Sequence, residues 1–374
     1  MKSWRKNISI YLTGIVIFVF FNGSHTAKTV SLKEQIGQML MVGFRGMELS
    51  PDNHIVADIT ELNVGGVILF DYDMPGKRYG RNIKSPQQLK KLNVDLQNLT
   101  DTKLLIAIDQ EGGRVNRLRT VYGFPPTVSA KFQGKIDAND TTMKYAAHTA
   151  ATLAYLGFNL NFAPCVDVDV NPLCPVIGKL ERSFSANPDV VSKHAEIWLM
   201  EQAKQGVTGC IKHFPGHGSA RADTHIGMAD VTGTWTAAEL EPYRRLIRTG
   251  NVQAIMTAHV FNAKLDARYP ATMSEAVITG LLRRQLGFEG VVITDDLAMG
   301  ALVDHYSLEE ILVHAVLAGA DVLCLSNNGE TYDPHIARKA SDILFKAVQN
   351  GRIPLQRINE SYARIMKLKQ NIPL

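Results

Sequence analysis

Eight short apolar runs, each bounded by Gly, Asp, Asn or Pro, constrain this chain more than any other feature. They fall at residues 39–44, 66–70, 104–108, 158–162, 207–211, 254–257, 291–294 and 321–325. Each is apolar on both faces, the pattern of a parallel strand covered on two sides rather than of a half-solvated antiparallel one. Helical patterns lie between them, at 85–98, 141–156, 188–205, 237–248, 274–286 and 308–318, and residues 333–374 read as closing helices. Strands alternating with helices eight times over predict an α/β chain folded as a (β/α)8 TIM barrel with a single catalytic domain. An open doubly wound sheet is the structural rival, but no Gly-x-Gly-x-x-Gly turn follows a strand.

A barrel of this kind gathers its chemistry at the C-terminal ends of its strands. Polar residues do collect there. Asp109 follows the third run, Lys212 and His213 the fifth, His259 the sixth, and Asp295 with Asp296 the seventh. An acid that ends a Val-Val-Ile-Thr strand is desolvated on one side, so Asp295 is either paired or functional. The fifth run opens into Lys212-His213-Phe214-Pro215-Gly216-His217-Gly218, with Asp223-Thr224-His225 just beyond. His213, His217 and His225 can be read as metal ligands, but Pro215 and Gly216 argue against a helix that would align two of the rings. Asp223 and His225 read better as a carboxylate orienting an imidazole, a common way to tune a proton donor. Asp109-Gln110-Glu111-Gly112-Gly113-Arg114-Val115-Asn116-Arg117 suits a polyol, held by charged groups around a close backbone, and equally suits a capped loop with surface ion pairs. Arg182, in Glu181-Arg182-Ser183-Phe184, reads as a ligand clamp or as an ion-pair partner.

Composition narrows the partners. The chain of 374 residues is 45% hydrophobic and 20% charged, an ordinary globular balance. Its net charge is +4, and Lys2, Arg5 and Lys6 supply three of those charges, which leaves no electrostatic case for a nucleic-acid partner. Those cations precede an apolar run at 8–21 and a small, polar stretch ending at Ala27, the order of a secretory signal peptide over residues 1–27. The run is short for a membrane span, so export to a periplasm, or secretion, is expected, with no stable span once the signal is removed. Of the four cysteines, Cys210 and Cys324 lie in apolar runs as core residues; Cys165 and Cys174 flank one loop and can pair in an oxidising compartment, a geometry that spacing does not reveal.

Together these motifs resemble the β-N-acetylglucosaminidases of glycoside hydrolase family 3, especially the single-domain bacterial enzymes of cell-wall recycling. The resemblance rests on Lys-His-Phe-Pro-Gly-His-Gly with Asp223-Thr224-His225, on Asp-Gln-Glu-Gly-Gly-Arg-Val, on Gly178-Lys179-Leu180-Glu181-Arg182-Ser183-Phe184, and on Thr294-Asp295-Asp296-Leu297-x-Met299. It implies a retaining exo-glycosidase over residues 28–374, needing no cofactor or metal. Asp295 is then the nucleophile, His225 the general acid/base and Asp223 its partner. Asp109, Arg117, Arg182, Lys212 and His213 then bind the N-acetylglucosamine, while Asp296, His217 and His259 remain supporting candidates. The implied partner is an N-acetylglucosamine-containing glycan, from peptidoglycan fragments or chitin-type oligosaccharides. A histidine acid departs from the usual pair of carboxylates, and the exported N-terminus departs from the cytosolic recycling enzymes. The rival readings are a family 3 β-glucosidase or β-xylosidase, a glycosyl phosphorylase, and, more remotely, a non-catalytic glycan-binding protein.

Overall fold

The computed structural model describes residues 30–372, and the expected signal peptide lies outside them. From Ser31 onward the chain forms one compact unit. Its frame is a ring of eight parallel strands: β1 (Leu40–Gly43), β2 (Gly66–Ile68), β3 (Leu105–Ile108), β4 (Leu160–Asn161), β5 (Thr208–Phe214), β6 (Ala254–Thr257), β7 (Val291–Thr294) and β8 (Leu323–Leu325). Each strand pairs with the next in sequence, β8 pairs back onto β1, and a parallel bridge from Ile293 to Val322 joins β7 to β8. The ring is closed further by Thr294 N donating to Val322 O at 2.9 Å. All residues of these strands are buried, which explains why the runs read as apolar on both faces: side chains fill the barrel on one side and meet helices on the other.

Two strands differ from the sequence expectation, each for a local reason. β4 is reduced to two residues. The Asn159 side chain takes over the ladder at its start, accepting from Ile106 N at 2.8 Å and donating to Leu104 O at 2.7 Å. Pro164, just past its end, has no N–H to continue the pairing. β5 instead runs three residues past 211. Val166 N donates to Lys212 O at 2.8 Å and Ala258 N to Phe214 O at 2.7 Å, so the backbone stays paired on both sides. Lys212 and His213 therefore belong to the strand rather than to the loop after it, and their side chains are held by the sheet.

The helices begin where short polar side chains can cap them. Ser31 with Glu34 and Ser307 with Glu310 form reciprocal capping boxes at the first helix and at Leu308–Ala318. The expected helix at 237–248 divides into a 3-10 turn (Ala237–Leu240) and a helix (Glu241–Arg248), with Pro242 in the first turn of the latter. Among the described residues no helix is long and apolar enough to cross a membrane. All four cysteines are free and buried, so Cys165 and Cys174 are not paired. Cys165 Sγ donates to Asp167 Oδ2 at 3.2 Å and Cys174 Sγ to His217 O at 3.5 Å, each thiol facing its own acceptor rather than the other.

The closure of the ring is secured from below. Asp321, fully buried at the entry to β8, accepts from Arg283 (2.6 Å), Arg357 (3.0 Å) and Arg364 (3.1 Å), and also from Ser361 Oγ (2.8 Å) and Val292 N (3.0 Å). Arg357, Ser361 and Arg364 all lie on the last helix, Leu355–Gln370, so one carboxylate ties that helix to β7 and β8. Removing one member of a buried ionic group leaves the rest uncompensated. Asp321→Asn is expected to lower unfolding free energy by about 3 kcal/mol, read as a fall in the urea midpoint at unchanged slope.

Candidate functional site

The upper rim of the ring, where the strands end, carries a continuous set of charged side chains. Lys212 Nζ lies 2.7 Å from Asp109 Oδ1 and 2.7 Å from Glu111 Oε1, with only 2% of its side chain exposed. Arg182 grips the same Glu111 with a two-pronged contact, Nε to Oε2 at 2.9 Å and Nη2 to Oε1 at 2.7 Å, and donates Nη1 to Val176 O at 2.9 Å. Arg117 approaches Asp109 Oδ2 at 3.6 Å. Burial alone would raise the Glu111 carboxyl, yet the charges of Arg182 and Lys212 outweigh it and hold the group well below the ordinary carboxylate range. Asp109 is lowered by Lys212 and Arg117 against the same opposing burial. In return these acids raise Lys212 above its ordinary value although burial acts the other way. The five residues expected to bind sugar thus include four, Asp109, Arg117, Arg182 and Lys212, joined in one ionic chain through Glu111.

His213, the fifth, is oriented from two sides. Its Nε2 lies 3.1 Å from Arg182 Nη2 and its Nδ1 lies 2.6 Å from Asp167 Oδ2. Asp167 is fully buried and also accepts from the backbone of His217 at 2.7 Å. Its burial would raise it, but the charge and hydrogen bond of His213 pull it down to about 2. Neither Asp167 nor Glu111 is singled out by the sequence as an individual. Glu111 sits inside a recognised segment; Asp167 has only the alternation Val166-Asp167-Val168-Asp169-Val170 to mark it, and nothing in the spacing links it to His213, forty-six positions on.

Across the ring from β3 stands Asp295, at the end of β7. It is half-buried, donates its N–H to Thr257 O at 3.3 Å and accepts from Asp296 N at 2.8 Å. Burial pushes its carboxyl up, but His213, His259 and His225 outweigh this and bring it down to about 2, leaving an anion at neutral pH. Its neighbour Asp296 is spoken for: its oxygens accept from Ser326 N (2.9 Å), Ser326 Oγ and Ala298 N (3.2 Å). Burial raises Asp296, the opposite direction to Asp295. His259, fully buried, bridges Thr272 Oγ1 (2.8 Å) and Asp296 O (2.9 Å). Asp296 and His259 therefore brace the end of β7, and Asp295 alone of the three is left facing the opening with its carboxylate largely uncommitted.

The loop after β5 brings the last pair. His225 Nδ1 meets Asp223 Oδ1 at 2.7 Å, and the same oxygen accepts from His225 N at 2.8 Å. The imidazole is 64% exposed, and among the described residues no hydrogen bond is made to its Nε2. The hydrogen bond to Asp223 raises His225 above the ordinary histidine value, with Asp295 adding in the same direction against partial burial. The loop turns tightly where Gly218 passes Val168: a Cβ there would stand 1.8 Å from Val168 O. His217 does not join His213 and His225 around a common centre, because its Nε2 is directed to Thr224 Oγ1 at 3.1 Å. Burial and the charge of His213 push His217 down to about 4. Among the described residues, Cys165, Asp167 and His213 bring one potential metal-ligating atom each to within 4.8 Å of one another. Those atoms already exchange hydrogen bonds with each other, and the guanidinium of Arg182 lies against the His213 ring, a poor setting for a cation.

The ionic chain makes a pH-dependent prediction. Since Glu111 is lower in the folded than in the unfolded protein, its contribution to stability is complete above the unfolded value of about 4.3. It is lost as pH falls below that value. Urea unfolding of Glu111→Gln beside wild type should show the variant weaker by about 3 kcal/mol at pH 7, with the gap closing as the pH is taken towards 3.

Comparison with known proteins fits this geometry. The family model described as "Glycosyl hydrolase family 3 N terminal domain" matches residues 31–368. "Beta-hexosaminidase A" of Pseudoalteromonas piscicida is 32% identical over 402 aligned positions, covering 95% of this chain and 64% of that protein. A "Beta-hexosaminidase" of Tolumonas auensis is 35% identical, covering 77% of this chain and 83% of the relative. The solved structure of a glycoside hydrolase family 3 β-N-acetylglucosaminidase from Paenibacillus sp. str. FPU-7 superposes with a TM-score of 0.83 at 36% identity, covering 91% of this chain and 62% of that one. A β-N-acetylhexosaminidase from Beutenbergia cavernae gives 0.81 at 29% identity, with 91% and 99% covered. The chain thus spans less than two thirds of the Pseudoalteromonas and Paenibacillus proteins.

Proposed function

The chain belongs to glycosyl hydrolase family 3, and on that premise we propose that it is a retaining exo-β-N-acetylglucosaminidase acting on peptidoglycan fragments or chitin-type oligosaccharides. The observation that carries this reading is the contrast between two groups at the mouth of the barrel. Asp295 is a carboxylate kept ionised; His225 is an imidazole whose hold on its proton is strengthened by the hydrogen bond to Asp223, and its ring is exposed. One can attack and the other can give a proton, which is the division of labour a double displacement requires.

In the first step an Asp295 oxygen attacks the anomeric carbon as the bond to the leaving oxygen breaks. The electron pair passes to that oxygen, which takes the proton from His225 Nε2. In the second step His225 accepts a proton from water, the resulting hydroxide attacks the anomeric carbon, and the carboxylate of Asp295 departs. Asp223 holds the Nδ1 proton throughout, so Nε2 is always the atom that exchanges. Asp109, Arg117, Lys212, Arg182 and His213 line the opposite wall and offer directional donors and acceptors for the ring hydroxyls. Their mutual ion pairs fix them before a sugar arrives, which limits the reorganisation that binding must meet.

The kinetic test compares leaving groups, with and without added phosphate to separate hydrolysis from phosphorolysis. Asp295→Ala should abolish turnover of aryl β-N-acetylglucosaminide while the fold persists, and a fluorinated slow substrate should label Asp295 itself. General acid catalysis is worth about 10²–10⁴-fold, so His225→Ala should lose on that order with a sugar leaving group. It should lose far less in the first step with dinitrophenolate, where a burst should appear because the second step lacks its base. Asp223→Asn removes the charge that raises His225, so the alkaline limb of activity should move to lower pH. Label on Asp296, an inverted product, or equal losses on all leaving groups would overturn these roles.

The same proposal places the enzyme outside the inner membrane, on the strength of Lys2, Arg5 and Lys6 ahead of the apolar run at 8–21. Fractionation followed by N-terminal sequencing should find a mature chain that starts near Lys28; full-length protein in the cytosol would refute export.

A further inference from the structure

His217 is the one histidine of the Lys-His-Phe-Pro-Gly-His-Gly stretch that the mechanism leaves without a task. It is buried, its backbone N–H is fixed on Asp167, and its carbonyl accepts from Ala220 N at 3.2 Å. Its ring reaches Thr224, also buried, and Thr224 lies between the two residues of the acid/base pair. On the far side, Thr224 O and His225 O accept from Ala301 N (3.1 Å) and Gly300 N (3.3 Å). A Cβ on Gly300 would come within 2.9 Å of the Ile226 backbone, so the loop lies directly against that turn.

We propose that His217 is a positioning residue, which through Thr224 clasps the Asp223–His225 loop and holds the proton donor over the opening. The proposal rests on the reading of His225 as the acid/base. Its physical basis is an asymmetry between the two buried partners and the residues they hold. Asp223 and His225 are exposed enough to move, whereas His217 is anchored at its backbone N–H and carbonyl and has its ring packed edge-on against His213 at 5.9 Å. A hydrogen bond between the fixed ring and the middle of the triplet therefore restrains both flanking side chains at once. The clasp also explains why Asp167 is buried where it is: one oxygen holds the His217 backbone while the other orients His213 in the sugar wall. A single carboxylate thereby sets the distance between the two halves of the site.

Thr224→Val removes only the hydroxyl, Thr224→Ser retains it, and His217→Ala removes the ring. Rates of the first step are measured on aryl β-N-acetylglucosaminides across a series of leaving groups, in wild-type and His225→Ala backgrounds. With His225 present, Thr224→Val and His217→Ala should lose about 10–100-fold on poor leaving groups, part of the whole acid contribution. They should change little on dinitrophenolate, and Thr224→Ser should stay close to wild type. In the His225→Ala background neither change should cost more, because there is no imidazole left to position. Uniform losses over all leaving groups, or losses that persist undiminished without His225, would overturn the clasp. Should His225→Ala itself show no dependence on the leaving group, the acid assignment falls instead, so the two failures are told apart.

Discussion

The arrangement of the site depends on Glu111 being shared between two cations. Burying Lys212 and Arg182 at the end of a closed barrel would cost several kcal/mol each if they stood unpaired. Glu111 offsets this with one oxygen on both and the other on Arg182, while Asp109 takes the remaining side of Lys212. The result is a wall of charged groups that is already ordered and whose hydrogen-bonding capacity is not exhausted. It also accompanies the extension of β5: the buried Lys212 and His213 at its end are met by Asp109 and Glu111 after β3 and by Asp167 after β4.

This wall and the Asp295 carboxylate are supported differently. The groups of the wall are tied to one another by charge. Asp295 is instead isolated by its neighbours' engagements, with Asp296 committed to Ser326 and His259 to Thr272. Two adjacent acids on one strand end thus acquire opposite characters, one depressed and largely uncommitted, the other raised and engaged by Ser326 and Ala298. The difference arises from what each touches, since their sequence positions are nearly equivalent.

That distinction marks the limit of what the sequence made legible. The strand ends could be read because parallel strands covered on both faces leave uninterrupted apolar runs, and Asp109, Lys212, His213 and Asp295 fall just where such runs stop. Asp223 and His225 were legible because they are two apart and make a local contact. Asp167 was not, because its partners His213 and His217 reach it only after β4 and β5 have paired. The short β4 was also hidden, since its ladder is replaced by an asparagine side chain that looks like any polar residue. Cys165 and Cys174 illustrate the converse: closeness in sequence left a bond open, and the fold gives each sulfur a separate oxygen acceptor.

The exposed His225 has a consequence for how such a catalyst can diversify. Lys212, His213 and Asp295 are rooted in barrel strands or at their ends, whereas His225 rides on a surface loop joined to the rest through Thr224 and the Gly300 turn. Under the proposed roles, substitutions in that loop can alter which leaving groups or acceptors are used without disturbing recognition of the terminal sugar. Under those roles, inheritance of substrate identity and inheritance of reaction outcome are carried by separate parts of the same chain, and selection can act on one while the other stands still.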